Sequence, residues 1–204
     1  VLGLLAFMLA FTFGIVSDRY DARKGLVREE ANAIRTAYLR SDFLPVLGGQ
    51  PSLGRYCTFG NLYARAGTDG AVYRVDLHPT MSRHPVTPMG EADLRRHLAA
   101  QGLNDVALID LRLLDTLDDT ALDASVDAVI ARGPDAVLFD VARAADLERI
   151  GRLVWQRACR APLVALGASS VAQALIAHWR TAGEIPRAAG DTAIPCATGP
   201  VFVL

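Results

Sequence analysis

The chain has 204 residues, of which 51% are hydrophobic, and its 21 basic residues nearly balance 22 acidic ones. This length suits one ordinary domain, or one domain with an appendage, and the apolar fraction excludes a largely disordered chain. A net charge of −1 excludes a nucleic-acid binder that relies on overall positive charge.

The three cysteines, Cys57, Cys159 and Cys196, are widely spaced, and no CxxC pair occurs. An odd number at such spacing argues against a disulfide framework and against a zinc site. Reduced thiols fit a reducing compartment, so we expect a cytoplasmic protein.

The chain opens with an apolar run, VLGLLAFMLAFTFGIV, which carries no charge over residues 1–16. A membrane-spanning helix needs ~20 apolar residues, so the run is about one turn short. Basic residues follow from Arg19 onward, as they do on the cytoplasmic side of a membrane helix. The run could be a truncated membrane helix that anchors the protein, or an apolar helix that is buried.

Helical spacing continues after the apolar run, because apolar side chains recur at Val27, Ala31, Ile34 and Tyr38. We therefore predict that the first segment, residues 1–45, is one long helix or a helix pair that ends near Pro45.

The second segment, residues 46–185, begins with a Gly/Pro-rich boundary and then alternates between strand and helix patterns. The strands are predicted at 71–77, 106–111, 136–141 and 163–166. The helices are predicted at 91–101, 122–130, 147–154 and 171–180, the first of them with Thr87 as its cap and Pro88 in its first turn. The third segment, 186–204, is predicted to be a loop with a short terminal strand.

Short, continuously apolar strands that alternate with helices are typical of a parallel sheet covered on both faces. The predicted fold class is therefore α/β: a partial parallel sheet with flanking helices in Rossmann-like layers, preceded by the N-terminal helical segment.

Ligands of open α/β sheets bind outside the carboxyl ends of the strands. Asp110 and Asp140 each end a predicted strand, so they could orient a polyol or hold a metal, or they could cap the turns that follow. In the turn from Gly167 to Ser170, Ser169 and Ser170 lie where a helix begins. That turn could bind a carboxylate or phosphate, or a serine could cap the helix.

The densest polar stretch is DLHPTMSRHPVTPM, residues 76–89. Its three prolines stiffen the segment, and a stiff polar segment presents side chains at low entropic cost. Arg83 could pair with a substrate carboxylate, and His78 or His84 could donate to hydroxyl groups. The two histidines lack an obvious third ligand, so we predict no metal site.

Four stretches resemble the four-carbon acid sugar kinase family: LGRYCTFGNLYARAG (53–67), VYRVDLHPTMSRHPVTPMGEADLRRHL (72–98), DAVLFDVARAADLERIGRLVW (135–155) and LGASSVAQALIAHWRTAG (166–183). The second stretch is long and specific. The resemblance implies an ATP-dependent kinase of sugar acids such as threonate and erythronate, built from a substrate-side domain and a nucleotide domain.

The chain lacks the Asp-Asp-x-Thr-Gly-Ala and Cys-Ser-Thr-Phe-Asp-Ser-Ser types of motif found in that family, and no nucleotide domain follows Gly183. We therefore expect a truncated substrate-side domain that does not catalyse alone. It would hold no cofactor itself, although the family resemblance implies ATP and Mg²⁺ for the full-length enzyme.

Residues 1–45 are similar instead to the start of a bestrophin-like membrane domain, through FTFGIVSDRYDARKGLVREEANAIRTAYLRSDFLP. This similarity supports an alternative function, a membrane-anchored structural or interaction protein with a degenerate α/β domain.

The expected ligand is a small sugar acid, and no nucleic-acid partner is expected. The protein could contact a membrane through residues 1–16. The incomplete sheet could also associate with a second copy of the chain. The expected ligand contacts are Arg83, His84, Ser82 and Thr80, followed by Asn61 and Arg55, with Ser169 and Ser170 as an anion-binding turn.

Overall fold

The computed structural model describes residues 42–185, which contain a four-stranded parallel sheet and a three-stranded antiparallel sheet. The strands are β1 (Pro45–Leu47), β2 (Arg55–Thr58), β3 (Asn61–Arg65), β4 (Val72–Arg74), β5 (Val106–Ile109), β6 (Ala136–Phe139) and β7 (Leu166–Gly167). The helices are α1 (Leu94–Ala99), α2 (Leu111–Thr116), α3 (Asp119–Ile130), α4 (Ala144–Ala158) and α5 (Ser170–Ala182).

The parallel sheet has the strand order β5–β6–β1–β7, which confirms the α/β fold class. Its two faces are covered, as expected. Val137 and Phe139 of β6 pack among the side chains of α2 to α5, whereas Ala136 and Leu138 pack against α1 and the antiparallel sheet. The alternation follows from the strand period of two.

Helices α3, α4 and α5 confirm the helical periodicity read from the sequence. Helix α1 is shorter than predicted, and its cap is different. Asp93, rather than Thr87, caps it by accepting a hydrogen bond from the Arg95 N–H at 3.0 Å. Thr87 and Pro88 stay in the polar segment because His84 Nδ1 accepts a hydrogen bond from the Thr87 N–H at 3.0 Å.

The predicted helix that ends near Pro45 falls almost entirely in residues 1–41, outside the described residues, and residues 42–44 are not helical. Pro45–Leu47 forms strand β1, which lies between β6 and β7 and is fully buried. Proline is tolerated because it is the first residue of the strand. The predictions for residues 1–41 and 186–204, including the apolar run 1–16, lie outside the described residues.

All four predicted strands are shorter than expected, and β5 and β6 each end two residues early, at Ile109 and Phe139. Of residues 71–77, only Val72–Arg74 pairs as a strand, and a 3₁₀ turn at Val75–Leu77 follows it. Of residues 163–166, only Leu166 belongs to a strand, and it forms β7 together with Gly167. This edge strand pairs with β1 alone. No helix within 42–185 is both long and apolar enough to cross a membrane.

The hairpin of β2 and β3 lies against the end of the parallel sheet. Cys57 and Val141 exchange backbone hydrogen bonds of 2.8 and 3.0 Å. Val141 lies two residues after the end of β6, so these bonds join the hairpin to the parallel sheet. Gly49 makes this close approach possible, since a Cβ there would lie 2.2 Å from the carbonyl oxygen of Val141.

We predict that Gly49→Ala lowers the free energy of unfolding by about 1–3 kcal/mol, because the new methyl group must push the hairpin away from the sheet. Urea denaturation measures the change. Gly90→Ala is the matched control, because nothing lies within 4 Å of a Cβ built there. Equal stability of the two variants would contradict this packing.

Candidate functional site

Four segments meet at the carboxyl edge of the parallel sheet, where ligands of such sheets bind. Gln50 follows β1, Asp110 follows β5, Asp140 follows β6, and Ser169 follows β7. The first three are buried, whereas Ser169 is exposed.

The Asp140 carboxylate is fully buried and holds the β2–β3 turn against the sheet. It accepts hydrogen bonds from the backbone N–H groups of Phe59 at 2.6 Å, Gly60 at 2.9 Å and Leu111 at 3.2 Å. The Cys57 thiol also donates to it, at 3.4 Å. Burial raises the pKa of Asp140, and the hydrogen bonds from the two turn amides oppose that rise. These bonds anchor the hairpin turn to the end of β6.

Asp110 has the capping role that the sequence left open. It accepts hydrogen bonds from the N–H groups of Arg112 at 2.9 Å and Leu113 at 3.3 Å, at the start of α2. It also pairs with the Arg112 guanidinium at 2.7 Å, which lowers the pKa of Asp110. Within residues 42–185, no three His, Cys, Asp or Glu side chains are grouped so that they could hold a metal ion.

Ser169 and Ser170 begin α5, but neither side chain caps it. Ser169 stands at the N-cap position without a side-chain hydrogen bond to the helix, and its Oγ accepts from Nε2 of Gln50. Ser170 is buried, and its Oγ donates to the carbonyl oxygen of Leu47 at 3.4 Å. Only Ser169 therefore keeps its hydroxyl at the exposed edge.

The polar segment 76–89 is organised by His78, which is buried. Its Nδ1 accepts hydrogen bonds from the N–H groups of Thr80 and Met81, both at 3.1 Å. Its backbone carbonyl accepts from the Ser82 hydroxyl at 2.6 Å. His78 and Ser82 therefore shape the segment, and Thr80 takes part through its backbone.

Arg83 and His84 lie at the exposed surface of this segment. The guanidinium of Arg83 makes no hydrogen bond or ion pair with the described residues. His84 uses Nδ1 to accept a hydrogen bond from the Thr87 N–H, and its Nε2 has no partner among the described residues. Both side chains are thus available to a ligand.

Arg55 connects the polar segment to the carboxyl edge. Its Nη1 lies 3.3 Å from Sδ of Met81, and its backbone exchanges hydrogen bonds of 2.8 and 3.1 Å with that of Gln50. Asn61 lies at the turn end of the hairpin, where its Nδ2 donates to the Phe59 carbonyl at 3.2 Å. By strand alternation, Asn61 is on the opposite face of the hairpin from Arg55.

Sequence reasoning treated Gln50 only as part of a boundary between segments. The overlooked signal is the order of residues 43–51, FLPVLGGQP, in which a short apolar run is followed directly by glycines. That order is typical of a buried strand and the turn at its carboxyl end.

Cavities of about 540 and 340 Å³ lie elsewhere, beside α3 and α4. The smaller one includes Phe43, which precedes β1, and Leu163, which precedes β7, so it opens at the amino edge of the sheet. Arg157 and Asp127 line both cavities and pair with each other. Exposed Arg160 also lines both cavities.

The fold and this edge define a Rossmann-like α/β domain with polar side chains where its parallel strands end. Residues 13–175 match the family model described as the sugar-binding N-terminal domain. The chain belongs to this family, the sugar-binding N-terminal domain of the four-carbon acid sugar kinases.

Two kinases are similar to the chain. The 3-oxo-isoapionate kinase of Paraburkholderia graminis is 43% identical over 153 residues, which covers 75% of this chain and 31% of the kinase. The 3-oxo-tetronate kinase of Cupriavidus necator is 30% identical over 200 residues, which covers 95% of this chain and 42% of the kinase. The chain thus spans about a third to two fifths of their length.

A crystal structure from Salmonella typhimurium LT2, provisionally described as a tRNA synthase, has a similar fold. Its TM-score is 0.61 at 24% identity, over 74% of this chain and 33% of that one. At this identity the similarity concerns the fold alone.

The comparisons do not support the resemblance of residues 1–45 to a bestrophin-like membrane domain. The family match begins at residue 13, inside that segment, and the alignment with the Cupriavidus necator kinase covers 95% of the chain. The membrane anchor that this resemblance suggested is likewise unsupported.

We predict that Asp140→Asn lowers the free energy of unfolding by about 2–3 kcal/mol. The asparagine NH₂ group replaces one carboxylate oxygen, so a backbone N–H of the hairpin turn faces a donor where it needs an acceptor. Chemical denaturation at neutral pH measures this loss. Asp69→Asn is the control, because exposed Asp69 has no side-chain partner among the described residues. A loss no larger than that of the control would contradict the anchoring role.

Proposed function

We propose that this chain is the sugar-acid-binding part of an ATP-dependent kinase that acts on four-carbon sugar acids or their 3-oxo relatives. The observation that carries this proposal is the meeting of Gln50, Arg55 and Ser169 at the carboxyl edge, in a chain of the sugar-binding family. The names of the two similar kinases support a sugar acid as substrate, and the name of the Cupriavidus necator kinase supports a four-carbon one.

The ligand carboxylate would lie at the start of α5. The first amides of a helix carry partial positive charge and lack partners within the helix, so they attract an anion. The exposed Ser169 hydroxyl lies at the same place, where no side chain caps the helix. Ser170 supports this turn from below, through its bond to Leu47.

The ligand hydroxyls would face the polar segment. Arg55, Arg83 and His84 offer donors there, while Ser82 and Thr80 fix the backbone that presents them. An arginine can also pair with a carboxylate through two parallel hydrogen bonds. Asn61 lies on the opposite face of the hairpin from Arg55, so of the expected contacts it is the least suited to reach the same ligand.

Phosphoryl transfer would need further parts of a longer enzyme. The similar kinases are more than twice as long as the regions aligned with this chain. ATP and Mg²⁺ would bind outside residues 42–185. Within that range, the acidic groups nearest the edge are Asp110 and Asp140, and both accept hydrogen bonds from backbone N–H groups of the protein.

The direct test is thermal unfolding with millimolar threonate, erythronate or a 3-oxo acid of the same length. Ligand at a hundred times its Kd adds about 2.7 kcal/mol of stability, which raises Tm by about 5–10 °C for a domain of this size. Neutral threitol is the control ligand. An unchanged Tm with every acid would contradict the proposal.

We predict that Arg55→Lys weakens binding of the responding acid by about tenfold, because lysine keeps the charge but loses the paired donors. Calorimetric titration measures the Kd. Arg132→Lys is the control, since exposed Arg132 has no side-chain partner among the described residues. Equal Kd values for both variants would remove Arg55 from the site.

A further inference from the structure

Gln50 occupies a fixed and buried position between β1 and α5. Only 6% of its surface is exposed. Its backbone N–H donates to the Arg55 carbonyl at 2.8 Å, and its carbonyl accepts from the N–H groups of Leu53 at 3.0 Å and Arg55 at 3.1 Å. The glycine before it, Gly49, has no space for a side chain. These bonds fix the backbone of Gln50, and burial limits the freedom of its side chain.

The two polar atoms of the Gln50 side chain have different surroundings. Nε2 donates a hydrogen bond to Oγ of Ser169. Oε1 accepts no hydrogen bond from any residue between 42 and 185, although it is not completely enclosed. Because Oε1 is accessible and has no partner among the described residues, a ligand hydroxyl can donate to it in place of water.

The bond from Gln50 also decides what the Ser169 hydroxyl can do. A serine hydroxyl has one donor and two acceptor positions, and its hydrogen rotates to suit its neighbours. Because Nε2 occupies an acceptor position and Oγ does not cap α5, the hydroxyl hydrogen is free to donate away from the protein. A carboxylate is the acceptor that gains most from such a donor.

We propose that Gln50 is a positioning and specificity residue of the sugar-acid site. Its Nε2 keeps Ser169 as a hydrogen-bond donor toward the ligand carboxylate, and its Oε1 accepts from the adjacent ligand hydroxyl. Gln50 thereby makes the site prefer a sugar acid over the matching neutral amide. This inference rests on the function proposed above, and it adds the reason for the preference.

Gln50→Glu tests this role with almost no change of shape. The glutamate can only accept from Ser169, so it turns the serine hydrogen away from the ligand and adds a like charge. We expect the Kd of threonate to rise by about tenfold or more, whereas the Kd of neutral threonamide stays within about threefold. Calorimetric titration of both ligands measures the ratio.

Gln173→Glu is the matched control, because it makes the same substitution in the first turns of α5. The side chain of Gln173 contacts Ser52, at 3.1 and 3.3 Å, and only its backbone N–H bonds to the Ser169 carbonyl, at 2.9 Å. We expect its acid-to-amide ratio to match that of the unaltered chain. An equal loss in both variants would mean a general charge effect at the helix, and would overturn the role of Gln50.

Ser169→Ala gives an independent test, because Ser169 is exposed and the substitution removes only its hydroxyl and the bond to Gln50. It should weaken threonate selectively, even where Gln50→Glu does not fold. Unchanged selectivity in Ser169→Ala, or in a folded Gln50→Glu variant, would overturn the inference while the proposed function stands. Failure of the unaltered chain to bind any acid would overturn both.

Discussion

The buried carboxylate of Asp140 is the interaction on which the arrangement of the two sheets depends. It stands at the carboxyl end of the central strand β6 and binds amides from two other elements, the hairpin turn and the start of α2. Phe59 and Gly60 both have positive φ, +50° and +78°, which is the backbone of a type I′ turn. A non-glycine residue there is unfavourable by itself. The Asp140 bonds offset that cost and fix the hairpin over the sheet.

Fixing the hairpin also places the elements that face a ligand. Cys57 joins the hairpin to Val141, and at its open end Arg55 is held beside Gln50, which contacts the start of α5. The polar segment follows β4 and is shaped internally by His78. The candidate site is therefore assembled from three regions, and each region is held by its own hydrogen bonds.

The strands and helices with clear periodicity could be predicted from sequence, since β5, β6 and α3 to α5 lie close to their expected positions. Strand β1 was missed because Pro45 and the glycines after it hide a run of only three residues. The hairpin was missed because its turn depends on Asp140, which is 80 and 81 residues away along the chain. Local patterns carry no information about such a partner.

The same reason limits prediction of the site. The polar composition of residues 76–89 drew attention to Arg83 and His84, but it did not separate them from His78 and Ser82, which serve the fold. The bond between Gln50 and Ser169 joins residues 119 positions apart, so only the structure brings them together.

The central claim is that a sugar acid binds at the carboxyl edge of β1 and β7. The most direct measurement is the change in backbone amide NMR shifts during titration with threonate. We expect the largest shifts at Ser169 to Ala172 and around Arg55, with smaller ones at Arg83 and His84. Shifts concentrated instead among Asp127, Arg157 and Arg160, at the amino edge, would contradict it.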